Sequence, residues 1–376
     1  MEEKKPYRIA FTGWNPFQFI HIKRLASFIP GSVFIIEKRG DRLTEFTDDI
    51  LNNTDVPILI WEKKDMIKLD GLFDIIVAQT MFTHIHMFTQ SKIVMLQYGY
   101  AKEVHNYGSW RGVSDLTLTF GEYATKKISH FCPTVSVGNP RYDVWHEKKF
   151  HELANKKYAY LLDKTKKTIL YMPTWGDLSS LDIYFDSILK LSDKYNLLIK
   201  LHHNTAILEK NRITIKNTKS IHFFGATDDA LDLLSICDIV VSDYSGAIFD
   251  AIYCEKPLLL LDLPKGKLDE IEKIDNHSLE ISTRDELGYR VESPSKVVGA
   301  ILSIEKKYNK IVKQQDKIKN MLFLPGANST QNAIDAMISL MEGKYSPSQM
   351  QAYTQETMHQ FYVNKRALAI LRKKKK

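Results

Sequence analysis

Three segments in the middle of the chain carry polar, reactive side chains at the point where a buried strand gives way to a turn. In Ile239-Val240-Val241-Ser242-Asp243-Tyr244-Ser245-Gly246-Ala247-Ile248-Phe249-Asp250, an apolar strand runs into small polar residues and a helix begins at once. Backbone N–H groups and the positive helix end then point at whatever lies above the strand, which suits a pyrophosphate. Ser245 adds a hydroxyl, and Gly246 permits close approach. An ordinary helix capped by Asp243 or Ser245 has the same sequence. The second segment, Leu170-Tyr171-Met172-Pro173-Thr174-Trp175, stops a strand with a proline and offers a hydroxyl and an indole. The third, Ile199-Lys200-Leu201-His202-His203, ends a strand on two imidazoles. Most lone histidines are structural. One at a strand's carboxyl end beside a phosphate-binding turn is placed to donate to a phosphate or move a proton. No second His/Asp/Glu pair stands at ligand spacing, so no metal is expected.

The N-terminal half has its own polar stretch, directly after the apolar run Ile93–Leu96. It holds Gln97, Lys102, Glu103, His105, Asn106, Tyr107 and Arg111, with glycines at Gly99 and Gly108. A solvated loop has such a composition too, but the position after a buried strand favours a site. Trp14 and Asn15, just after the first strand, are further candidates to line a cleft, against a plain tight turn. His84 and His86 have no evident partner and read as structural.

The elements that must position these residues follow from apolar periodicity. Strands are predicted at 8–11, 32–36, 58–61, 75–78, 93–97, 116–119 and 134–137, and again at 168–172, 197–201, 221–223, 239–242 and 257–261. Helix-like segments separate them, the alternation of a doubly wound parallel sheet. The charged stretch from Asn139 to Lys167 has no buried-strand pattern and reads as the passage between two αβα domains. The expected organisation is two Rossmann-like domains, over residues 1–150 and 151–345, facing across a cleft. A tail over 346–376 completes the chain. Val297, Ile301, Ile304, Tyr308, Ile311, Gln315 and Ile318 recur at three- and four-residue steps, predicting an amphipathic helix from Lys296 to Leu322 with a solvated lysine face.

At these residues the sequence resembles a known family. Tyr171-Met172-Pro173-Thr174-Trp175, Lys200-Leu201-His202 and Ser242-Asp243-Tyr244-Ser245, with Phe249-Asp250 one turn on, are similar to the donor domain of CDP-glycerol glycerophosphotransferases. These enzymes prime and polymerise teichoic acids and related capsule polymers. Gly138-Asn139-Pro140-Arg141-Tyr142-Asp143 resembles that family's Gly-x-Pro-Arg segment. The resemblance spans roughly residues 90 to 340, and most specifically 168 to 255. It implies a glycosyltransferase-B fold with an acceptor side in residues 1–150 and donor binding in 151–345, a nucleotide-activated donor as substrate and no cofactor. It also implies donor contacts from Pro173, Thr174, Trp175, His202, Ser242, Asp243, Tyr244, Ser245, Gly246 and Asp250. Three positions depart from the pattern. Gly246 stands for a second serine, His203 for a proline, and Tyr98 for the histidine of a Trp-His-Gly motif in the acceptor half. A tyrosine with a pKa near 10 is a poor base, which leaves Glu103, His202 and Tyr98 as catalytic candidates. Trp14, Asn15, Gln97, Gly99, Lys102 and Arg111 are the acceptor-side candidates.

The expected activity is transfer of glycerol phosphate, or a related alditol phosphate, from a CDP-activated donor to an envelope or capsule glycan. The alternatives are a nucleotide-sugar glycosyltransferase of the same fold and a non-catalytic nucleotide- or glycan-binding protein. Lysine and arginine number 52 against 45 acids, a net +7, and residues 365–376 alone carry seven basic groups and no acid. The remainder is therefore neutral, which argues against a nucleic-acid surface. Three cysteines without a CxxC pair exclude a disulfide scaffold and a zinc ribbon. No apolar run reaches the roughly 20 residues of a membrane span, and no signal sequence is evident. The expectation is a cytoplasmic protein on the inner membrane face. Met350, Tyr353, Phe361, Leu368 and Leu371 at helical spacing, with the basic terminus, would dock it on anionic lipid.

Overall fold

Apolar runs of four or five residues, too short for helices and rich in β-branched side chains, become parallel strands buried on both faces. The computed structural model describes residues 6–52, 54–209, 211–214, 216–269, 271 and 274–374. The chain forms two compact units: Met1–Tyr98 with Tyr107–Asp143 and Leu322–Lys376, and Gly99–Asn106 with Val144–Met321.

The first unit holds β1 (Ile9–Gly13), β2 (Val33–Lys38), β3 (Ile58–Glu62), β4 (Ile75–Ala78), β5 (Lys92–Leu96), β6 (Leu116–Thr119) and β7 (Thr134–Ser136). All pair in parallel, in the order β3-β2-β1-β4-β5-β6-β7. The second holds β8 (Thr168–Met172), β9 (Asn196–Lys200), β10 (Ile221–Phe224), β11 (Ile239–Ser242), β12 (Leu258–Leu261) and β13 (Tyr289–Val291), in the order β10-β9-β8-β11-β12-β13. Each sheet thus reverses its winding once, between β1 and β4 and between β8 and β11, and open α/β sheets bind ligands at such switch points. β13 has no counterpart in the sequence reading, because a three-residue edge strand containing Arg290 carries no apolar run.

In the second unit Ile169, Tyr171, Leu197, Ile199 and Val241 pack against Leu181, Tyr184 and Ile188 of the helix Leu181–Leu189. Val297, Ile301, Ile304 and Ile311 of the helix Val297–Leu322 close the same core. That helix has the expected apolar stripe, but it kinks at Lys307, where φ is −115° and ψ 16°.

The division of the chain differs from the expected one. Gly99–Asn106 already belongs to the second unit, the main crossing comes after Asp143 rather than near residue 150, and the chain returns to the first unit at Leu322. The cause of the return is a set of hydrogen bonds. The Asp143 carboxylate accepts from the N–H groups of Ser329 (3.0 Å) and Thr330 (2.7 Å), capping the helix Ser329–Met341. Gly138 has φ 84° and lies against Ser329, so a side chain there would meet both backbone strain and the serine. The Gly138–Asp143 segment therefore seats a C-terminal helix.

The segment expected as a separate membrane-docking tail is also part of the first unit. Its helix, Gln349–Lys374, donates from Gln351 Nε2 to the carbonyls of Ser129 (2.7 Å) and Cys132 (2.9 Å), and from Gln355 Nε2 to that of Ser114 (3.0 Å). Tyr362 stacks on His86, and His359 Nδ1 meets the His86 carbonyl at 2.8 Å. Residues 375–376, the end of the basic run, lie outside the described residues.

Candidate functional site

Polar residues at the end of a buried strand must find partners or face a ligand, and at the β8/β11 switch point both occur. The Ser242 hydroxyl donates to the Met172 carbonyl at 2.7 Å, tying β11 to β8. Asp243 is fully buried. Its Oδ1 accepts from the Thr174 N–H, and its Oδ2 accepts from the N–H and hydroxyl of Ser180, each at 2.8 Å. Burial still pushes its carboxyl above the ordinary value, because desolvation outweighs these donors. Ser242 and Asp243 thus differ from the donor contacts expected of them. Their polar atoms are spent inside the fold, where they fix the loop Pro173–Trp175 beside the turn Tyr244–Gly246.

The groups left at that turn are few. Tyr244 is buried beneath the Arg284 guanidinium, 4.0 Å from the ring centre. Arg284 also donates to the carbonyls of Asp243 (2.8 Å) and Leu261 (3.0 Å) and pairs with Asp262. Ser245 is buried and accepts from the Ala247 N–H at 3.3 Å, whereas Gly246 is exposed. A Cβ on Gly246 would meet only the Ala101 methyl, at 3.9 Å. Asp250 lies half-buried one turn on.

Next to this turn, at the end of β8, Thr174 is buried and the half-buried Trp175 stacks on His202, with ring centres 5.9 Å apart and planes at 27°. His202 caps the helix His203–Leu208: its Nδ1 accepts from the Asn204 N–H at 3.2 Å, and in the neutral ring this leaves the proton on Nε2. His203 stacks behind it at 4.3 Å. Trp175, His202, Ser245 and Gly246 therefore stand at the carboxyl ends of the adjacent strands β9, β8 and β11.

The residues expected on an acceptor side do not form one set. Gly99, Lys102 and Glu103 belong to the second unit. Glu103 is buried, its N–H donating to Ser278 Oγ (2.9 Å) and its Oε1 accepting from the Leu279 N–H (3.2 Å). Its carboxylate is thus tied to the start of the helix Leu279–Ser282. Lys102 donates its N–H to Glu280 Oε1 at 2.8 Å. Glu280 escaped the sequence reading, since an acid at the second position of a short helix looks like ordinary N-terminal capping. It is 2% exposed, and burial pushes its carboxyl up to about 7.

The others stay in the first unit. Gln97 is a bracket: Oε1 accepts from the Phe120 N–H (2.8 Å), and Nε2 reaches the Tyr107 hydroxyl (3.4 Å). Arg111 is wholly buried with its guanidinium 4.6 Å from the Trp110 ring centre, and burial lowers it to about 10. Neither is available to an acceptor as expected. Tyr98 packs on Phe17 at 5.5 Å, and burial raises its phenol further. A phenol held protonated at neutral pH is set against the role of base expected of Tyr98. Asn15 caps the helix Pro16–Ser27, accepting from the Gln18 N–H at 2.9 Å. Trp14 lies at the β1/β4 switch point, with the Arg39 and Arg42 guanidiniums 5.1 and 5.5 Å from its ring.

Two parallel α/β units, each with one reversal of strand order, define the glycosyltransferase-B class of fold. The wall teichoic acid polymerase TagF shares it, at 15% identity and a TM-score of 0.66 over 90% of each chain. Residues 129–263 match the sequence model of a family, CDP-Glycerol:Poly(glycerophosphate) glycerophosphotransferase. The resemblance read from the motifs thus holds across the segment that contains β8, β9 and β11. A teichoic acid poly(glycerol phosphate) polymerase of Bacillus spizizenii is 30% identical over 137 residues, 33% of this chain and 34% of that protein. A teichoic acid glycerol-phosphate primase of Bacillus subtilis is 30% identical over 209 residues, 54% of this chain and 49% of that protein. The chain spans about a third and about half of the length of these two relatives.

Proposed function

We propose that the protein transfers glycerol phosphate, or a related alditol phosphate, from a CDP-activated donor onto a teichoic-acid-like or capsule glycan of the cell envelope. The observation that carries this reading is the grouping of Trp175, His202, Ser245 and Gly246 at the β8/β11 switch point, inside the family-matched residues 129–263. The acceptor hydroxyl attacks the glycerol-linked phosphorus and gives up its proton to water, the bond from that phosphorus to the nucleotide's phosphate oxygen breaks, and CMP leaves. His202 Nε2–H donates to the departing phosphate, with the Trp175 ring fixing the imidazole plane. Preorganised donors at developing phosphate charge are a large share of such catalysis. In this reading the nucleotide donor is a substrate and the chain's own groups meet its phosphates without a bound metal.

A His202→Asn variant tests it, because asparagine keeps the helix cap while removing the imidazole. With CDP-glycerol, turnover should fall on the order of 100-fold with the thermal midpoint unchanged. Near-wild-type turnover would overturn the reading. A screen of CDP-glycerol, CDP-ribitol and nucleotide sugars separates the alternatives. Turnover of a nucleotide sugar alone makes the protein a glycosyltransferase, the outcome favoured by Tyr98 standing in place of a histidine. Binding without turnover of any donor makes it a binding protein.

The same reading puts the protein on the inner face of the membrane. No helix among the described residues is long and apolar enough to cross a bilayer. The helix Gln349–Lys374 has two faces, however. Gln351, Gln355, His359 and Tyr362 hold it to the first unit, while Met350, Tyr353, Phe361, Leu368 and Leu371 are exposed. At 3.6 residues per turn, Met350, Phe361 and Leu368 fall on one line and the other two beside it, opposite the docked face. Exposed Lys365 and the basic terminus supply charge worth about 1 kcal/mol per residue near an anionic surface. Phe361→Ser, Leu368→Ser and Leu371→Ser together spare the docked face. They should abolish co-sedimentation with anionic vesicles at low salt, and unchanged pelleting would remove this helix from the reading.

A further inference from the structure

Lys102 and Glu280 are ionisable groups of the second unit that the transfer step above does not use. Lys102 adopts φ 56°, the left-handed region that a residue with a side chain avoids. Such a conformation persists only where its surroundings enforce it, and it clusters at ligand sites. Here the enforcement is visible. The Lys102 N–H donates to Glu280 Oε1, the Glu103 N–H donates to Ser278 Oγ, and the Leu279 N–H returns to Glu103 Oε1. The neighbouring Ala101 methyl lies 3.9 Å from where a Cβ on Gly246 would stand, so the segment runs along the exposed turn at the end of β11.

In that place the half-buried Lys102 ammonium makes no hydrogen bond or ion pair among the described residues, and burial lowers its pKa. The charges acting on it are Glu280 and Asp243. Asp243 is already occupied by Thr174 and Ser180. Glu280 spends Oε1 on the Lys102 N–H, while its buried Oε2 has no partner among the described residues. A lysine taken from water without a counter-ion loses solvation that only an acceptor can return. Gly246, beside the neighbouring Ala101, is exposed, and a phosphoryl oxygen arriving at that turn would supply such an acceptor.

We infer that Lys102 is a phosphate-binding residue of the donor site, and that Glu280 is its positioning partner, neutral while an anionic ligand is bound. The inference rests on the reading of the β11 turn as the donor-phosphate site. It moves Lys102 from the acceptor side to the donor side. The groups facing Glu280 are Lys102 and Glu103, with Arg284 donating to its backbone carbonyl at 3.3 Å. An ionised Glu280 beside a bound phosphate is a like-charge contact, so binding draws a proton onto it. Above about pH 7, where the free carboxyl ionises, affinity should fall by up to about tenfold per pH unit.

Calorimetric titration with CDP-glycerol at about pH 6.5 and about pH 8.5 tests both residues, since its diphosphate diester does not titrate in that range. Lys102→Gly relieves the left-handed strain and deletes the ammonium, so the variant should be at least as stable. It should bind on the order of ten- to a hundredfold more weakly at the lower pH. Glu280→Gln should bind CDP-glycerol almost equally at both pH values and more tightly than wild type at the higher one. Titration of His202, common to both proteins, cancels in that comparison. Equal binding by wild type and Lys102→Gly overturns the inference and leaves the donor reading intact. A pH response in Glu280→Gln parallel to wild type overturns the role of Glu280. If wild type ignores CDP-glycerol but binds inorganic pyrophosphate in a Lys102-dependent way, the donor reading falls and the Lys102 assignment stands. Binding of neither probe by wild type overturns both.

Discussion

Replacing Glu280 by glutamine should make the second unit more stable, and increasingly so as pH rises. The carboxyl's pKa moves from an ordinary 4.5 to about 7 because burial disfavours its charge, with the Glu103 charge adding in the same direction. Between those two values the folded state holds a proton that the unfolded state has released. Stability from this group is thus fully present below about pH 4.5 and is lost as pH rises through about 7. At about 1.4 kcal/mol per pH unit the whole loss is about 3 kcal/mol, of which about 2 falls between pH 5.5 and 8.5. Glutamine carries no such titration and can still accept from the Lys102 N–H. Urea unfolding followed by fluorescence, with Trp145 and Trp175 reporting on this unit, measures the difference. With a denaturant slope of about 2 kcal/mol per molar, the gap between Glu280→Gln and wild type should widen by about 1 M over that pH range. Gaps equal to within about 0.5 kcal/mol at both ends would refute the assignment of a neutral-range carboxyl to Glu280.

Two further outcomes follow from contacts in the first unit. Asp143→Ala leaves the Ser329 and Thr330 N–H groups uncapped and should cost about 1–2 kcal/mol in denaturant unfolding. Tyr98→Phe should leave the pH profile of transfer unchanged between about pH 6 and pH 9, because burial keeps the phenol protonated throughout. A lost basic limb in that profile would return Tyr98 to the list of bases.

Local pattern made much of this fold legible. Strands such as Ile75–Ala78, Ile239–Ser242 and Leu258–Leu261 announce themselves because a strand buried on both faces must be apolar throughout. The polar residues that end β8, β9 and β11 mark the carboxyl edge of the sheet by the same logic. The amphipathic helix Val297–Leu322 was legible from its period, though not its kink at Lys307. Each of these depends on neighbours within a few residues, which the order of amino acids states directly.

Residue order along the chain thus suffices for the two parallel sheets and for which strand ends carry polar groups. Tertiary structure alone decided which of those groups remain for a ligand. Asp243 reads as a phosphate-side residue until Thr174 and Ser180, 69 and 63 positions away, consume both its oxygens. Gln351 reads as part of a separate membrane-docking tail until the carbonyls of Ser129 and Cys132 take its amide. Glu280 reads as a helix-start acid until Lys102, 178 positions away, brings it into the interior. A buried polar atom must be satisfied by whatever the fold places beside it, and that partner is fixed by the packing of distant segments, about which local spacing carries no information.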